Sequence, residues 1–424
     1  MKILLINVYN YRKGGSETVY FTTRQLLEAA GHKVVTFTLK WPENQPEPTS
    51  DYFPESKATR RGPLRQVVNM VNYFYHFEAR RNLERLIEAE QPDVAHVHLI
   101  WGQLTPSILV ALRKKGVPVV LTAHDYRIVC PAYSFRNGNG EVCEQCHGRN
   151  FMPCVRNRCS GGSLIQSAVM AAEQSFRNRF FNPARMTDGI IFVSDFAREI
   201  HLRYMPELAG LPLLTLHNIV PGATPCPKGA LPPASESYFL YFGRLSAEKG
   251  LLTLVEAFAS LPEARLRIAG TGPVEEQLRN FIESRRASNI ELLGYRTGKP
   301  LRDLVAGANF TIVPSEWYEN NPMSVIESYA AGVPVIGAET GGIPEIVADG
   351  ITGFLFEPGN SASLKEAIRR ASSLPETEFL KMSAAAADFA IRNSDPATYL
   401  SELTGFYSRV IAESRSRGSE ASIN

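Results

Sequence analysis

The chain has 424 residues, about three times the usual domain length of ~150 residues, so its length favours two domains of about 200 residues each. Lys and Arg total 45 and Asp and Glu total 43, a net charge of +2 that argues against binding nucleic acid through bulk charge. Hydrophobic residues make up 44% and charged residues 21%, an ordinary globular composition that excludes a mini-protein and a chain disordered throughout.

No apolar run reaches the ~20 residues that a membrane-spanning helix needs. The opening MKILLIN also lacks the long apolar stretch and the small-residue cleavage site of a signal peptide. We therefore expect a cytoplasmic protein without a transmembrane segment.

The first part of the chain, residues 1–216, alternates predicted strands and helices. Lys2 to Val8 predicts a buried strand, a turn containing Gly14 and Gly15 follows, and a helical pattern runs from Glu17 to Gly31. Four more strands are predicted at Lys33 to Leu39, Val94 to His98, Val117 to Ala123 and Gly189 to Ser194. This alternation predicts a parallel sheet with helices on both faces.

A proline-rich, aperiodic stretch at 217–237 predicts a linker, and a second α/β alternation fills 238–394. Its predicted strands are Tyr238 to Phe242, Arg265 to Ala269, Ile290 to Leu293, Phe310 to Val313 and Pro334 to Gly337. Its predicted helices are Leu251 to Ser260, Val274 to Arg286 and Pro322 to Ala331. The fold class is therefore α/β, with two doubly wound domains.

An amphipathic helix is predicted at 395–414, where Tyr399, Leu403, Phe406 and Val410 recur at helical spacing. Such a helix needs a surface to cover. The small polar residues of 415–424 predict a flexible tail.

Two cations lie on the loop between a predicted strand and the following helix. Arg244 and Lys249 would both reach an anion placed at this helix start, as a diphosphate would be. The alternative is a solvated loop in which Glu248 pairs with one of these cations.

The segment Ser315 to Glu327 places one carboxylate on a loop and another inside a helix. Pro322 suits the first helical position with Asn321 as its cap, so Glu319 precedes the helix and Glu327 lies within it. Glu327 could accept hydrogen bonds from a ribose diol. The helix amides predicted to face an anion are those of Met323, Ser324 and Val325. The alternative, a surface Glu on an ordinary helix, leaves the polar insertion before the helix unexplained.

Taken together, these motifs resemble retaining nucleotide-sugar glycosyltransferases of family 4. The resemblance rests on Gly-Arg-Leu with Lys249, the Glu319 and Glu327 pair, Gly332-Val-Pro-Val-Ile, and Gly341-Gly-Ile-Pro-Glu-Ile-Val followed by Gly353. It covers most of 238–360 and keeps the family's order. It implies the GT-B fold, in which two Rossmann-like domains face each other across a cleft. The donor would bind the C-terminal domain and the acceptor mainly the N-terminal domain, with the last helix crossing back onto the latter.

The resemblance also implies roles for single residues. Arg244 and Lys249 would bind the donor diphosphate, Glu327 the ribose, and Glu319 the transferred sugar. His124, which ends a predicted strand, matches the family's histidine beside the donor sugar; the alternative is a structural histidine. The glycines of the first turn, Gly14 and Gly15, would let the backbone approach donor phosphate or acceptor, although Gly-Gly is also common in plain turns.

The chemistry of this transfer needs positive charge at the leaving group. Negative charge builds on the departing diphosphate, and Arg244, Lys249 and the helix amides would stabilise it. The chain contains no Asp-x-Asp pair, so we expect transfer without a catalytic metal.

Four cysteines form a C-x2-C-x7-C-x4-C series within a predicted insertion at 125–162: Cys143, Cys146, Cys154 and Cys159. A long loop without its own core needs a staple, so the series predicts a structural zinc, with free reduced thiols as the alternative. Cys130 and His147 are reserve ligands, and Cys226 is assigned no role. The segment resembles a cysteine-bearing insertion found in a subset of these bacterial enzymes. Because it interrupts a Rossmann-like domain, a nucleic-acid zinc ribbon is disfavoured.

Seven cations surround the aromatic stretch Tyr73 to Phe77: Lys57, Arg60, Arg61, Arg65, Arg80, Arg81 and Arg85. This composition is typical of a surface held against anionic lipid, and equally of a solvated face beside a core stripe. We hypothesise a peripheral protein that extends a lipid-linked saccharide in bacterial polysaccharide or glycoconjugate assembly. The donor would be a UDP- or GDP-sugar. The alternatives are a nucleotide-sugar epimerase or glycan phosphorylase on the same fold, and a non-catalytic zinc-stapled scaffold.

Overall fold

The computed structural model describes residues 1–220, 227–229 and 237–421, which separate into two units. The first unit holds Met1–Asn139, Cys143–His217 and the C-terminal segment from Pro396; the second holds Gly140–Val142 and Asn218–Asp395. Most of the predicted linker at 217–237, including Cys226, lies outside the described residues, and so do residues 422–424.

The first unit is built on a six-stranded sheet of order β2-β1-β3-β4-β5-β6, in which every pairing is parallel. Its strands are β1 Lys2–Ile6, β2 Lys33–Phe37, β3 Val94–Val97, β4 Val119–Ala123, β5 Gly189–Phe192 and β6 Leu213–Thr215. The central strands β3, β4 and β5 are buried along their whole length. Continuous apolar runs form strands of this kind because helices cover both faces of a parallel sheet.

Nine helices belong to the described part of the first unit. They are α1 Gly15–Ala29, α2 Arg65–Phe74, α3 Phe77–Glu90, α4 Ser107–Lys114, α5 Met152–Arg156, α6 Leu164–Phe180, α7 Pro183–Met186, α8 Asp195–Tyr204 and, at the C-terminus, α16 Pro396–Ala421. Short 3₁₀ turns occur at Ser50–Tyr52 and Pro206–Gly210.

Helix α16 covers the first unit with its apolar stripe. Tyr399, Leu403, Phe406 and Val410 are all buried. The hydroxyl of Tyr399 hydrogen-bonds Thr23 on α1 at 3.1 Å. The helix continues to Ala421, past the predicted end at residue 414. An apolar stripe of this spacing has to be buried against a continuous apolar surface, and the first unit provides that surface.

The second unit contains a parallel sheet of order β12-β11-β10-β7-β8-β9. Its strands are β7 Phe239–Phe242, β8 Leu266–Ala269, β9 Ile290–Gly294, β10 Phe310–Val313, β11 Val335–Ala338 and β12 Gly353–Phe356. Its helices are α9 Leu251–Ala259, α10 Glu275–Arg285, α11 Gly298–Gly307, α12 Met323–Ala330, α13 Ile343–Ile346, α14 Ser361–Ser372 and α15 Glu376–Asn393, with a 3₁₀ turn at Ala247–Lys249.

This order is the Rossmann order, with β7 as the first strand and β10 beside it. The strand order reverses between β7 and β10, so the connections after these two strands leave in opposite directions. Sheets of this type bind ligands in the crevice beyond such strand ends. We therefore expect a ligand-binding site at the loops after β7 and β10.

Among the described helices, none is both long enough and apolar enough to cross a lipid bilayer.

Candidate active site

The loops after β7 and β10 are packed directly on each other in the second unit. Gly250 ends the β7 loop with φ of +66°, and a Cβ there would lie 1.8 Å from the carbonyl oxygen of Pro314 in the β10 loop. The amide of Glu316 also donates to the carbonyl of Glu248 at 2.9 Å. Only glycine allows this approach, so the local sequence brings the two loops into one site.

Lys249 and Glu319 form an ion pair across these loops. Lys249 Nζ lies 2.6 Å from Glu319 Oε1, and the Ser315 hydroxyl donates to the same oxygen at 2.6 Å. The Glu319 side chain is 7% exposed and that of Lys249 is 25% exposed. Burial raises the pKa of Glu319, but the Lys249 charge and the hydrogen bonds from Lys249 and Ser315 outweigh burial and hold that pKa below its usual value. Glu319 is therefore an ionised, oriented carboxylate.

Two residues that the sequence did not single out support this pair. Ser315 orients the carboxylate, and the Trp317 ring lies under the ammonium group, with its centroid 5.2 Å from Lys249 Nζ. Both belong to the unusual polar insertion before α12, which was the only sequence signal for them.

Arg244 lies on the same β7 loop with an exposed side chain. Its carbonyl accepts a hydrogen bond from the Tyr241 hydroxyl at 2.7 Å, which anchors the loop backbone. Over the described ranges, no carboxylate lies within ion-pair distance of its guanidinium. Arg244 is thus a cation available to an anionic ligand.

The start of α12 differs from the prediction in two details. Pro322 occupies the cap position, and the Asn321 side chain instead accepts a hydrogen bond from the amide of Asn218 at 3.1 Å. The amide of Val325 donates to the Pro322 carbonyl at 3.0 Å. Two of the three predicted amides, those of Met323 and Ser324, therefore remain for an anion, since no described residue accepts from them.

Glu327 lies one turn further along α12 and is half-buried. Burial raises its pKa to about 7. Within the described part of the chain, no cation or hydrogen-bond donor offsets this burial. A buried carboxylate without hydrogen-bond donors is stabilised when the hydroxyl groups of a ligand donate hydrogen bonds to it.

His124 follows β4 in the first unit and hydrogen-bonds His98, which follows β3. His124 Nε2 lies 2.8 Å from His98 Nδ1, and the two rings are stacked with centroids 5.1 Å apart. Burial lowers the pKa of His124 to about 4, so the imidazole is neutral at physiological pH. His98 was not predicted as a site residue, although the alternation His96-Val-His98 at a strand end was the available signal.

The two glycines of the first turn lie at the start of α1. Gly14 is the cap residue, Gly15 is the first helical residue, and both are exposed. Glu17, in the first helical turn, is buried, and burial raises its pKa. The exposed backbone at this helix start is open to close approach by a ligand.

The predicted site residues thus fall into two groups. Arg244, Lys249, Glu319 and the start of α12 come together in the second unit, with Glu327 on the same helix. His124, Gly14 and Gly15 belong to the first unit.

The cysteine segment does not support the predicted zinc site. Across the described residues, no group of three or more His, Cys, Asp or Glu side chains is arranged to hold a metal ion. Cys143, Cys146, Cys154 and Cys159 are free thiols, as is the reserve Cys130. Cys154 and Cys159 hydrogen-bond each other through their sulfurs. Cys143 accepts from the Asn157 amide at 3.5 Å, and Cys154 contacts the Ser167 carbonyl at 4.0 Å.

Helix α8 stabilises this segment instead. The Tyr204 ring stacks on the reserve ligand His147 with centroids 4.8 Å apart, and its hydroxyl donates to the Glu144 carboxylate at 2.8 Å. An ion pair of 2.8 Å joins Arg149 to Glu207 at the following turn. Aromatic packing and hydrogen bonds therefore supply the anchoring that the sequence assigned to a metal.

Comparison with known families agrees with this architecture. Residues 13–209 match the family described as Glycosyltransferase Family 4, and residues 227–388 match the family described as Glycosyl transferases group 1. Two glycosyltransferase domains, one of each of these families, therefore follow each other along the chain, and the fold is GT-B.

Curated relatives match parts of the chain. The sulfoquinovosyl transferase SQD2 of Arabidopsis thaliana is 36% identical over 278 residues, which is 64% of this chain and 48% of that protein. An uncharacterised 42.6 kDa protein in the cps region of Klebsiella pneumoniae is 22% identical over 82% of this chain and 87% of its own length. The putative colanic acid biosynthesis glycosyltransferase WcaL of Escherichia coli is 28% identical over 36% of this chain and 40% of that protein. The match thus spans about half or less of the length of SQD2 and WcaL.

Solved structures share the fold over nearly the whole chain. Sucrose-phosphate synthase of Thermosynechococcus elongatus has a TM-score of 0.71 at 19% identity, covering 97% of this chain and 99% of that one. HepE of Anabaena, solved with UDP and glucose, has a TM-score of 0.62 at 19% identity, covering 96% of this chain and 99% of that one. At these identities the likeness establishes the fold alone.

Proposed function

We propose that the chain transfers a sugar, with retention at the anomeric carbon, from a UDP- or GDP-sugar to a saccharide acceptor. The observation that carries the proposal is the arrangement at the strand-order reversal of the second unit. There an oriented ion pair, Lys249 and Glu319, lies on the loops after β7 and β10. The exposed Arg244 lies on the same β7 loop, and the amides at the start of α12 follow the β10 loop.

The proposed chemistry follows from these charges. As the bond between the anomeric carbon and the diphosphate breaks, its electron pair moves onto the diphosphate oxygen. Arg244, Lys249 and the amides of Met323 and Ser324 would stabilise that developing charge. Glu319 would accept hydrogen bonds from the hydroxyls of the transferred sugar while holding Lys249 in place. The acceptor hydroxyl then bonds to the anomeric carbon, and its proton passes to an oxygen of the departing diphosphate.

Glu327 and His124 would bind the donor at its other positions. The Glu327 carboxylate would accept hydrogen bonds from the ribose hydroxyls, and these bonds would offset the free-energy cost of its burial. His124, being neutral, would bind the donor sugar through a hydrogen bond and not through charge. UDP-sugars are the first donors to test because HepE was solved with UDP-glucose.

Helix α2 supports a membrane-associated, lipid-linked acceptor. Leu64 just before this helix and Val67 and Val71 within it are 68%, 62% and 47% exposed, an unusual run of apolar surface. Lys57, Arg61 and Arg65 are exposed beside them, and residues 57–77 contain no Asp or Glu. Exposed apolar groups flanked by cations favour an anionic lipid surface. The colanic acid and cps-region relatives agree with a role in assembling an exported polysaccharide.

Donor turnover tests the proposed site. We expect Lys249→Ala and Glu319→Ala each to lower the rate of UDP-sugar hydrolysis and transfer by about a hundredfold or more. Lys381→Ala, at an exposed lysine of α15, is the matched control and should keep wild-type turnover. Turnover that survives both site substitutions in folded protein would remove the assignment. Product analysis with donor alone distinguishes transfer from epimerisation, and inorganic phosphate as acceptor distinguishes it from phosphorolysis.

Vesicle flotation tests the lipid surface. The wild type should float with vesicles containing phosphatidylglycerol and not with phosphatidylcholine alone. Val67→Glu with Val71→Glu should abolish flotation, whereas Ile391→Glu, at an exposed apolar residue of α15, should not. Equal flotation of all three proteins would contradict the membrane proposal.

A further inference from the structure

The main segment of the second unit begins at a residue that is bound to the loop after β10. That segment is Asn218–Asp395. The backbone amide of Asn218 donates to the side-chain oxygen of Asn321 at 3.1 Å, and the side-chain nitrogen Nδ2 of Asn218 donates to the Asn321 carbonyl at 3.0 Å. Two hydrogen bonds therefore join the first residue of this segment to a loop residue 103 positions further along the chain.

Both asparagines are buried, so water competes little for these hydrogen bonds. Asn218 is 7% exposed and Asn321 is 6% exposed. A carbonyl oxygen only accepts, so the Asn218 atom that faces the Asn321 carbonyl has to be Nδ2 and not the side-chain oxygen. The next residue, Ile219, is also buried, which anchors the backbone that follows Asn218. Asn218 is thus a fixed donor, and loss of its side chain would leave the buried Asn321 carbonyl without this bond.

The residue held by Asn218 leads directly into the helix start that is proposed to bind the diphosphate. Pro322 follows Asn321 and has no amide hydrogen to donate. With a ψ of 117°, Pro322 is still extended, and α12 begins at the next residue, Met323. The direction of the Met323 and Ser324 amides therefore depends on how the backbone just before them is held.

The loop before α12 is fixed at a second place, nearer to β10. The Glu319 carbonyl accepts from the Gly342 amide at 2.7 Å, and a Cβ at Gly341 would lie 2.2 Å from the same oxygen. These contacts fix the part of the loop that carries the ion pair, whereas Asn218 fixes the part next to the helix. Hydrogen bonds weaken steeply with distance and angle, so even a shift of about 1 Å at the helix start would weaken its bonds to a diphosphate.

We infer that Asn218 is a positioning residue for the donor: it holds Asn321 so that the amides of Met323 and Ser324 face the diphosphate. The inference rests on the proposed function and extends it to a residue outside the loops after β7 and β10. Asn218 acts on the donor only through Asn321. Because such coupling is reciprocal, a diphosphate bound at the start of α12 also stabilises the contact between the two asparagines.

Binding of UDP and of uridine to the full chain tests this role. Uridine lacks the diphosphate, so only UDP depends on the helix amides. Asn218→Leu keeps the approximate size of the side chain without a donor, and it should weaken UDP binding by about tenfold and change uridine binding by less than about twofold. GDP and guanosine replace this pair if the wild type prefers them. Asn218→His, whose ring N–H can face the carbonyl, should recover part of the UDP affinity.

Kinetics of donor hydrolysis give a second readout. Charge on the diphosphate grows as the bond to the sugar breaks, so the helix amides matter most in the transition state. Asn218→Leu should therefore lower kcat by a larger factor than it raises KM.

Asn289→Leu is the matched control in the second unit. Asn289 Nδ2 also donates to backbone carbonyls, at distances between 2.8 and 3.0 Å, but it lies just before β9, at the amino end of the strand. Ligands bind at the opposite, carboxyl ends of such strands. Asn289→Leu should therefore lower the thermal unfolding temperature at least as much as Asn218→Leu does, and leave UDP and uridine binding unchanged.

Hydrogen exchange in the wild type tests the reciprocal effect without any substitution at Asn218. The Asn218 amide is bonded to the Asn321 side chain, so UDP should slow its exchange by about tenfold and uridine should not. Mass spectrometry of a peptide that contains Asn218 measures this rate. Asn321→Ala, which removes the acceptor, should abolish the protection.

The outcomes separate this inference from the proposed function. Folded Asn218→Leu with unchanged UDP affinity and kcat overturns the inference, and so does an equal loss of UDP and uridine affinity, which indicates a general structural role. If Asn218→Leu does not fold, the exchange experiment decides, and a wild type whose Asn218 amide is not protected by UDP overturns the inference. A wild type that binds neither UDP nor GDP refutes the proposed function, and the positioning role with it.

Discussion

The two sheets share parallel topology but carry different chemistry at their strand ends. In the second unit the loops after β7 and β10 present charges: the Lys249 and Glu319 pair and the exposed Arg244. In the first unit the ends of β3 and β4 carry His98 and His124, which burial keeps neutral. Charge is thus concentrated where a diphosphate would leave, and neutral hydrogen-bonding groups where a sugar would be oriented.

The largest effect is expected at Arg244, because it is a cation with no competing structural role. Arg244→Met should lower kcat/KM for the donor by about a hundredfold to a thousandfold, the loss typical of removing one transition-state stabilising donor. Thermal unfolding should be unchanged, since the side chain is exposed. A variant with normal kinetics would show that the charge of this loop is not used on the leaving group.

Glu327 should make stability and donor binding depend on pH in opposite ways. Its folded pKa of about 7 exceeds the ordinary value of 4.5, so the folded state favours the protonated form. The stability associated with that proton is complete below pH 4.5 and is lost as pH rises through 7. At pH 8 Glu327→Gln should therefore stabilise the protein by up to about 3 kcal/mol relative to wild type. Urea unfolding at pH 5 and pH 8 measures the difference.

Donor affinity should show the opposite trend at the same residue. Ribose hydroxyls donate to the carboxylate, so wild-type affinity for UDP should rise between pH 6 and pH 8. Glu327→Gln should bind UDP more weakly and without this pH dependence. A wild-type affinity that stays constant over this range would separate Glu327 from the ribose.

Lys249 should contribute to stability through its partner. Lys249→Ala leaves the Glu319 carboxylate, 7% exposed, without its counter-charge. We expect a loss of about 2 kcal/mol in unfolding free energy, less than for a fully buried pair because Lys249 is partly solvated. The double variant Lys249→Ala with Glu319→Gln should recover most of this loss. If the double variant is less stable than the single one, the ion pair is not the cause.

The smallest effect is expected at His98, which we interpret as a positioning residue for His124. The buried Nε2 of His98 has no partner among the described residues, which favours a proton on Nδ1 donated to His124 Nε2. His124 would then carry its proton on Nδ1. His98→Ala should lower kcat by about tenfold, and His98→Asn should restore part of it.

Nitrogen NMR of the His124 ring provides the readout that a purely structural role would not change. The wild type should show a single tautomer, His98→Ala a mixture, and His98→Asn a return toward one tautomer. An unchanged tautomer in His98→Ala would contradict the positioning role.

Local patterns predicted much of this protein, and long-range contacts account for what they missed. The buried runs at β1, β4, β7 and β10 were recognisable because parallel strands covered on both faces are continuously apolar. Strands β6 and β12 were not predicted, since three- and four-residue strands at sheet edges carry too little pattern.

The cysteine segment shows the opposite error. The cysteine spacing alone is typical of a structural zinc site. The segment is instead held by Tyr204, which hydrogen-bonds Glu144 from 60 residues further along the chain. Metal-ligand spacing is necessary for such a site, but only the path of the chain decides whether the ligands are arranged around a metal, and among the described residues they are not.

The amino-acid pattern alone specifies the alternation of strands and helices, the apolar stripe of α16, and the residue types that a nucleotide-sugar site requires. These properties are local, because hydrophobic period and loop chemistry are encoded over a few neighbouring residues. The folded chain establishes three contacts that the pattern does not contain: Lys249 pairs with Glu319, His98 hydrogen-bonds His124, and Asn321 binds Asn218 instead of capping α12. Such contacts join residues far apart in the chain, and burial, which sets their charge states, exists only after the chain has folded.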